Sequence, residues 1–257
     1  MRVLILGGTT EAADLARRLA ADMCFEATLS LAGRTADPGL PAISYRIGGF
    51  GGSDGLARWL TEQRVAAIVD ATHPFADQIS ANAVAAAKAA SVSLASIVRA
   101  AWPRQADDRW VEVDDIQTAL AALGSEPKRV LLTIGRREVA AFKAAPMHTY
   151  VVRSVDMPVP TDIPPNAELK LQRGPFDERD EEKLMRERRI DVVVSKNSGG
   201  AATYGKIAAA RKLGLPVVMI RRPAKPSGIR LPDAPAAYAW LVSVRTAHDG
   251  GASERGV

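Results

Sequence analysis

The sequence predicts an α/β protein with mostly parallel sheets, and two observations lead to this prediction. Short apolar runs that end in glycine or in a polar residue alternate with amphipathic segments along nearly the whole chain. Such alternation indicates βαβ units, whose right-handed crossovers build a parallel sheet with helices on both faces. The length of 257 residues leaves room for two domains of this kind.

The first half of the chain is predicted to carry several strands and the helices between them. The first strand ends at Gly7-Gly8, and apolar residues then recur with helical spacing from Ala12 to Leu19. We place a domain boundary near residue 125, so the first predicted domain covers residues 1–125. Its strands are predicted at residues 3–6, 28–32, 65–69 and 94–98, and its later helices at 76–90 and 115–123.

The second half repeats this alternation without a visible sequence repeat. We predict a second domain over residues 126–248 and a flexible tail over residues 249–257. The strands of the second half are predicted at residues 129–134, 149–155, 190–195 and 217–221, and the helices at 137–144, 177–188, 201–213 and 234–248.

Composition argues against several classes of protein. The formal charge is +5, from 34 Lys and Arg against 29 Asp and Glu, and 47% of the residues are hydrophobic, as in a folded globular protein. One cysteine and three histidines show no metal-ligand spacing, so no metal site is expected. No apolar run approaches the roughly 20 residues of a membrane span, and no secretory signal opens the sequence. We therefore expect a cytoplasmic protein without membrane contact.

Ligands of doubly wound sheets bind outside the carboxyl ends of the strands, so the residues that follow each strand form the candidate site. After the first strand, two glycines would let the backbone approach a phosphate, and a threonine would cap the following helix. A simple tight turn is the alternative, since the G-x-G-x-x-G spacing is absent. The candidate cofactor-binding residues here are Gly7, Gly8, Thr9, Thr10 and Glu11.

Two further segments of the first half fit a nucleotide. The loop after the second strand contains Arg34, which suits a 2′-phosphate and therefore favours NADPH, unless it is a solvated loop arginine. The glycine run over residues 46–52 is too flexible, because of its glycines, to form the interior of a strand. It would lie along the cofactor or form a surface loop. The candidate cofactor-binding residues of these segments are Gly33, Arg34, Thr35, Gly48 and Gly49.

Thr72, His73 and Pro74 follow the third strand. Pro74 would start the next helix and hold His73 in an extended conformation at the sheet edge. A histidine in that place could bind an anion or move a proton, because its pKa lies near neutral. The alternative is a helix-entry histidine that is bonded to the backbone.

The second half places cations after its strands. Carboxyl ends of parallel strands meet at one edge of the sheet, where guanidinium groups could each take a carboxylate in a bidentate manner. The pattern predicts a polyanionic substrate, although each cation taken alone could be a solvated surface charge. The candidate substrate-binding residues are Arg136, Arg137, Arg173, Lys196 and Arg222, with Ser198 and the amides of Gly199 and Gly200 as further donors.

These motifs, in this order and spacing, resemble the precorrin-6A reductase family of cobalamin biosynthesis over the chain to about residue 247. The resemblance implies two Rossmann-like domains with a ligand cleft between them, NADPH as cofactor, and precorrin-6A, a polycarboxylate tetrapyrrole, as substrate. The implied reaction is hydride transfer to a ring double bond, which gives precorrin-6B. The resemblance rests on residues 7–11, 31–35, 46–52, 70–76, 133–137 and 196–200.

The same resemblance implies the role of each segment. NADPH would bind at residues 7–11, at 33–35, at the glycine run and at 72–74, and basic residues would meet the carboxylates of the tetrapyrrole. The chemistry needs no side-chain nucleophile, so no catalytic residue is assigned; His73 and water are both admissible proton sources. Transfer of the product to the next pathway enzyme is a further expectation, and the sequence assigns no oligomeric state.

Other interpretations compete with this one. The same reduction could act on the cobalt-containing precursor. The positive charge would suit a nucleic-acid-binding protein, but 5% aromatic residues offer few stacking platforms, so we expect no nucleic acid. A short-chain dehydrogenase needs Tyr-x-x-x-Lys, and no tyrosine of the sequence is followed four residues later by lysine. A methyltransferase usually has an acidic residue where Arg34 stands.

Overall fold

The computed structural model describes residues 1–32 and 42–253, with side chains described through residue 248. The chain forms two compact units. The first unit consists of Met1–Arg99 together with Pro223–Val257, and the second consists of Ala100–Arg222. The predicted loop residues Gly33, Arg34 and Thr35 lie outside the described residues.

Helices and strands alternate along most of the chain. The first unit contains β1 (Arg2–Leu6), α1 (Thr10–Ala20), β2 (Glu26–Leu31), β3 (Ser44–Ile47), α2 (Gly52–Glu62), β4 (Ala67–Asp70), α3 (Asp77–Ala90) and β5 (Ser93–Ile97). The second unit contains β6 (Trp110–Val113), α4 (Ile116–Leu123), β7 (Arg129–Thr133), β8 (Thr149–Ser154), β9 (Ala167–Leu171), α5 (Glu178–Glu187), β10 (Val192–Lys196), α6 (Gly205–Lys212) and β11 (Val217–Ile220), with 3-10 helices at Val139–Ala144, Pro160–Asp162 and Ala201–Thr203. The chain then returns to the first unit with β12 (Ile229–Leu231) and α7 (Ala234–Ser253).

The sheet of the first unit has the order β3-β2-β1-β4-β5-β12, and its neighbouring strands run parallel. Counted within this unit, the order is 3-2-1-4-5-6, which is the arrangement of dinucleotide-binding folds. The order reverses between β1 and β4. We call the carboxyl ends of these two strands the first switch point, because ligands bind at such a reversal.

The sheet of the second unit has the order β9-β8-β7-β10-β11-β6, again with parallel neighbours. Its reversal falls between β7 and β10, whose carboxyl ends we call the second switch point. Each time the chain passes from one unit to the other, its next strand forms an edge of the sheet that it enters. β6 follows β5 along the chain yet forms the edge of the second sheet, and β12 follows β11 yet forms the edge of the first.

The prediction of an α/β protein with parallel sheets is confirmed. The predicted apolar runs match the inner strands of both sheets, whereas the edge strands β3, β6, β9 and β12 were not predicted. Edge strands bury only part of their surface and need no continuous apolar run; β3 and β12 are mostly exposed. The glycine run therefore begins in a strand, since residues 46 and 47 end β3.

Helices differ from the predictions in four places. The helix predicted over residues 201–213 is a 3-10 helix at Ala201–Thr203 followed by α6 at Gly205–Lys212. The predicted helix over residues 137–144 is a 3-10 helix at Val139–Ala144, and Pro146 prevents its continuation. The α2 helix was not predicted. The α7 helix continues to Ser253 instead of ending at residue 248, so residues 249–253 are helical and not an irregular tail.

The two compact units also differ from the boundary predicted near residue 125. Strand β6 and helix α4 precede that boundary, but β6 pairs with β11 in the second sheet. The terminal helix α7 packs on the first sheet, where its buried Leu241 joins the core that contains Leu15 of α1. The division follows strand pairing, which the linear sequence does not display.

Side chains of β1 alternate between the two faces of the first sheet. Val3 and Ile5 join the core beneath α1 and α7, while Leu4 and Leu6 join the core beneath α2 and α3. Both faces are thus covered by helices, and the ends of the strands are the surfaces left for a ligand. Within residues 1–32 and 42–253, no helix combines the length and apolar character needed to cross a bilayer.

Candidate functional site

The first switch point is built around the turn between β1 and α1. The Thr9 hydroxyl accepts a hydrogen bond from the amide of Ala12 at 3.2 Å, which caps the helix, and donates one to the carbonyl of Ala71 at 2.7 Å. Thr9 therefore ties the start of α1 to the segment after β4. The predicted phosphate turn and the residues after the third predicted strand meet at this point.

The two glycines of the turn differ in their surroundings. A Cβ on Gly7 would lie 2.5 Å from Cδ1 of Leu29, so the Leu29 side chain would have to shift. Gly8 has φ +114° and no heavy atom within 4 Å of the place a Cβ would take. The turn thus presents bare, open backbone next to a helix N-terminus, and this arrangement fits a phosphate group.

Glu11 in the first turn of α1 is paired with Arg99, which lies after β5. Both carboxylate oxygens lie 2.9 Å from Nη1 of Arg99. Burial alone would raise the pKa of Glu11, but the bonds and charge of Arg99 outweigh it and hold the pKa below its usual value. The charge of Glu11 is therefore balanced, and the helix N-terminus remains compatible with an anion. The sequence patterns did not single out Arg99.

A buried ion pair supports the end of β4. The Asp70 carboxylate accepts hydrogen bonds from the Thr72 hydroxyl at 2.6 Å, the Ser80 hydroxyl at 2.6 Å and the Lys225 ammonium at 3.0 Å. Burial opposes the ionisation of Asp70, but Lys225 and the two hydroxyls outweigh it, so the pKa of Asp70 lies below its ordinary value. The Thr72 hydroxyl is thus engaged by Asp70 inside the protein.

His73 and Pro74 continue this segment. Nδ1 of His73 accepts a hydrogen bond from the Phe75 amide at 3.3 Å. Pro74 is buried and precedes α3, which begins at Asp77. A narrow depression of about 10 Å³ brings together residues of the predicted site, and His73 does not line it. The depression is lined by Thr9, Glu11, Ala71, Thr72, Pro74, Ile97 and Arg99.

The glycine run is held in place by Arg46. Nη1 of Arg46 donates to the Gly48 carbonyl at 3.0 Å, and Nη2 donates to the Gly49 carbonyl at 2.9 Å. The guanidinium carbon lies 3.8 Å from the ring centroid of Phe50. Gly48 and Gly49 have open space where a Cβ would stand, so their backbone remains accessible.

At the second switch point, the predicted cations divide into two groups. Arg136 and Arg137 lie after β7, and Arg173 lies after β9. Across residues 1–32 and 42–253, none of these three arginines forms an ion pair, and Arg137 and Arg173 are exposed.

The remaining predicted cations already have partners. Nζ of Lys196 lies 2.5 Å from the Glu138 carboxylate. Arg222 donates from Nε to the Asn197 carbonyl at 2.7 Å and from Nη2 to the Ala100 carbonyl at 3.0 Å. Arg222 therefore holds the loop after β10, and a substrate carboxylate would have to compete with Glu138 for Lys196.

The predicted donors Ser198, Gly199 and Gly200 lie in this loop. Ser198 and Gly199 are buried, and a Cβ on Gly199 would collide with the Ala100 carbonyl and the Arg222 guanidinium. The Gly200 carbonyl accepts a hydrogen bond from Nε1 of Trp102 at 2.8 Å. Gly199 is thus needed for close packing of the loop, and Gly200 has a positive φ of 78°.

A buried charge cluster near the end of β8 was not predicted. Arg153 pairs with Glu181 of α5, and its guanidinium carbon lies 3.9 Å from the ring centroid of Phe176. Lys206 of α6 is 4% exposed and donates to the Thr203 carbonyl at 2.8 Å. Burial and the neighbouring Arg153 lower the pKa of Lys206 to about 7, while Glu181 opposes the change. The cluster therefore contacts Phe176 and Thr203, each of which lies three residues after a predicted site residue, Arg173 and Gly200 respectively.

Comparisons with known proteins agree with this geometry. The model of the family described as "Precorrin-6x reductase CbiJ/CobK" matches residues 2–242. A precorrin-6A reductase of Rhodobacter capsulatus is 47% identical over 100% of this chain and 99% of its own, and one of a Sinorhizobium species is 54% identical over 86% of this chain and 85% of its own. A cobalt-precorrin-6A reductase of Salmonella typhimurium is 28% identical over 95% of this chain and 98% of its own.

A solved structure described as "CobK precorrin-6A reductase" superposes with a TM-score of 0.89. It is 46% identical and covers 95% of this chain and 97% of its own. The match therefore extends over both units. Together with the family model, it shows that the chain belongs to the precorrin-6x reductase CbiJ/CobK family and is an oxidoreductase that acts on a CH–CH group.

Proposed function

We propose that the protein uses NADPH to reduce a ring double bond of precorrin-6A, giving precorrin-6B in cobalamin biosynthesis. The observation that carries the proposal is the first switch point, where a 3-2-1-4-5-6 parallel sheet presents the Gly7-Gly8 turn and the capped N-terminus of α1. Family membership supplies the substrate class.

The residues of the first switch point fit a dinucleotide. Gly7, Gly8 and the first amides of α1 would hold the diphosphate, with Thr9 fixing the helix start and Arg99 balancing Glu11. Gly48 and Gly49 would border the nucleotide near the end of β3. When bound, NADPH supplies the hydride; the protein supplies orientation and electrostatics.

The second unit is proposed to bind the carboxylates of the tetrapyrrole. Arg136, Arg137 and Arg173 would take carboxylates directly, since each has an unpaired guanidinium group in the described part of the chain. Lys196 would bind by exchanging Glu138 for a substrate carboxylate. We propose Arg222 as a residue that positions the loop of Ser198, Gly199 and Gly200, and not as a direct ligand.

The reduction also needs a proton. His73 accepts at Nδ1, so a proton delivered to the substrate would leave from Nε2. Water is the other source. Replacement of His73 by glutamine keeps the size and polarity of the side chain but removes its titration, and a changed pH profile of kcat would identify His73 as the source.

We propose the metal-free tetrapyrrole as the substrate, in preference to the cobalt-containing one. Two relatives named precorrin-6A reductase are 47% and 54% identical to this chain, while relatives named cobalt-precorrin-6A reductase are 26–28% identical. The test is incubation with NADPH and each substrate in parallel, followed by the mass of the product. A gain of two hydrogens on precorrin-6A, at a higher kcat/KM than on the cobalt form, supports the proposal.

Cofactor choice is tested by Arg34, which lies outside the described residues. Removal of an arginine that binds the 2′-phosphate should weaken NADPH binding by roughly 1.5–3 kcal/mol, or about 10-fold to 100-fold. NADH lacks this phosphate, so its affinity for the Arg34→Ala variant should match that of the wild type. An equal loss for both cofactors would remove Arg34 from the phosphate site.

A further inference from the structure

An open cavity of about 610 Å³ lies at the opposite end of the first sheet, where β1, β2 and β4 begin. Dinucleotides bind at the carboxyl ends of such strands, so this cavity is separate from the first switch point. Its volume lies within the range of small-molecule sites, about 300–1,000 Å³. It is lined by Met1, Arg2, Cys24, Arg64, Ala66, Arg245 and His248.

The lining of this cavity is rich in cations that come from separate parts of the fold. Arg2 starts β1, Arg64 precedes β4, and Arg245 and His248 lie on α7. Of the three arginines, Arg2 has a carboxylate partner, with Nε 2.9 Å from Glu26. Guanidinium groups brought together in this way repel one another unless an anion lies among them.

Arg64 and Arg245 have hydrogen-bond donors that no carboxylate of the described residues uses. Across the described residues, neither Arg64 nor Arg245 makes an ion pair within 4.0 Å of a carboxylate. The guanidinium carbon of Arg245 lies 5.3 Å from the ring centroid of Phe25, which supports the side chain without using its hydrogen-bond donors.

Asp22, the acid with which Arg245 interacts electrostatically, is already engaged. Asp22 accepts hydrogen bonds from the Tyr238 hydroxyl at 2.7 Å and from the Cys24 amide at 2.9 Å. These bonds, with a smaller contribution from the charge of Arg245, lower the pKa of Asp22, so this carboxylate stays ionised. Arg245 therefore retains its N–H groups for a second anion.

We propose that this cavity binds a small polyanion through the guanidinium groups of Arg64 and Arg245, with Arg2 and His248 at its border. A guanidinium group offers paired donors whose geometry matches phosphate and carboxylate oxygens. Two such groups from different elements would bind an anion with several charged oxygens more tightly than they would bind an anion with a single charge.

The test is isothermal titration of the full chain with inorganic triphosphate and, separately, with citrate. The Arg64→Ala/Arg245→Ala variant should bind the effective probe at least about 10-fold more weakly than the wild type. Binding of triphosphate alone would identify phosphate chemistry, and binding of citrate alone would identify carboxylate chemistry. The milder Arg64→Gln/Arg245→Gln variant should show the same loss and guards against a folding defect.

Arg189 provides a matched control for Arg64. Both residues come after a helix and precede an inner strand, and both have positive φ, 50° for Arg64 and 48° for Arg189. Arg189→Ala should therefore carry the same backbone effect and leave probe binding unchanged. Absence of binding to the wild type, or binding that survives the loss of Arg64 and Arg245, would overturn the proposal.

Discussion

The two units share one strand layout and differ in the segment after the first strand of each switch point. In the first unit, β1 leads through two glycines into the eleven-residue helix α1, capped by Thr9. In the second unit, β7 leads through Arg136 and Arg137 into a six-residue 3-10 helix without a side-chain cap. A capped α-helix offers aligned amides to a phosphate, whereas the second unit offers cationic side chains.

Buried charges follow the same division. The first unit holds Asp70 with Lys225, one carboxylate and one cation, and both carboxylate oxygens have donors. The second unit holds Arg153, Glu181 and Lys206, and the second carboxylate oxygen of Glu181 has no partner among the described residues. The first unit therefore has a charge-balanced strand edge, whereas the second unit has a cation-rich one.

The largest effect is expected from Glu181. Glu181→Gln leaves Arg153 as a buried cation beside Lys206, so the free energy of unfolding should fall by roughly 3–5 kcal/mol in denaturant titrations. Glu187→Gln on the exposed side of the same helix is the control and should change stability by about 0.5 kcal/mol or less. Equal, small effects would show that the second cluster is not a structural unit.

Lys225→Met should lower the free energy of unfolding by about 3 kcal/mol at pH 7. This is somewhat less than for Glu181→Gln, because Asp70 keeps its two hydroxyl donors. The pKa of Asp70 is depressed in the folded state, so its pairing stabilises the fold above the unfolded pKa and is lost as the pH falls through the folded value. The difference from wild type should shrink below about pH 4. A difference in unfolding free energy that does not change with pH would contradict the ion-pair explanation.

Lys206 predicts the same direction of pH dependence as Asp70, but in a more alkaline range. Its folded pKa of about 7 lies below the unfolded value, so the unfolded chain binds more protons above pH 7. The free energy of unfolding should therefore rise by roughly 1 kcal/mol per pH unit between pH 7 and 9. In Lys206→Met this rise should flatten; an unchanged slope in equilibrium unfolding would refute the assignment.

The smallest effect is expected from Thr9. Thr9→Ala removes the cap of α1 and the bond to Ala71, which should lower stability by about 1 kcal/mol and weaken NADPH binding. Thr9→Ser should restore both, and Thr10→Ala should have little effect because the Thr10 hydroxyl bonds to the neighbouring Glu11 and not to another element. A loss of stability without a loss of NADPH affinity would separate the cap from the cofactor site.

The sequence predicts the parts of this protein that local patterns encode. Inner strands are continuous apolar runs, and the Gly7-Gly8-Thr9 turn combines open backbone with a cap, so both can be read without a structure. Edge strands such as β3 and β12 bury too little to produce that pattern. The placement of β6 at the edge of the second sheet, and of β12 at the edge of the first, has no local signal in the sequence either.

Side-chain partners distant in sequence could not be predicted. Lys225 lies 155 residues from Asp70, and Arg99 lies 88 residues from Glu11. The predictions for Lys196 and Arg222 did not foresee that both side chains are already bonded within the protein. Glu138 directly follows Arg136 and Arg137, and its carboxylate pairs with Lys196. Its place in the sequence was the only local indication that one cation at this edge is neutralised.

The most direct test of the division between the units uses the Arg136→Ala/Arg137→Ala/Arg173→Ala variant. We expect the KM for precorrin-6A to rise at least about 10-fold, since charge-assisted contacts contribute roughly 1.5–3 kcal/mol each. The Kd for NADPH, measured by fluorescence titration of the same variant, should stay within about 2-fold of the wild type. A Kd for NADPH that rises as much as the KM would contradict this division of roles.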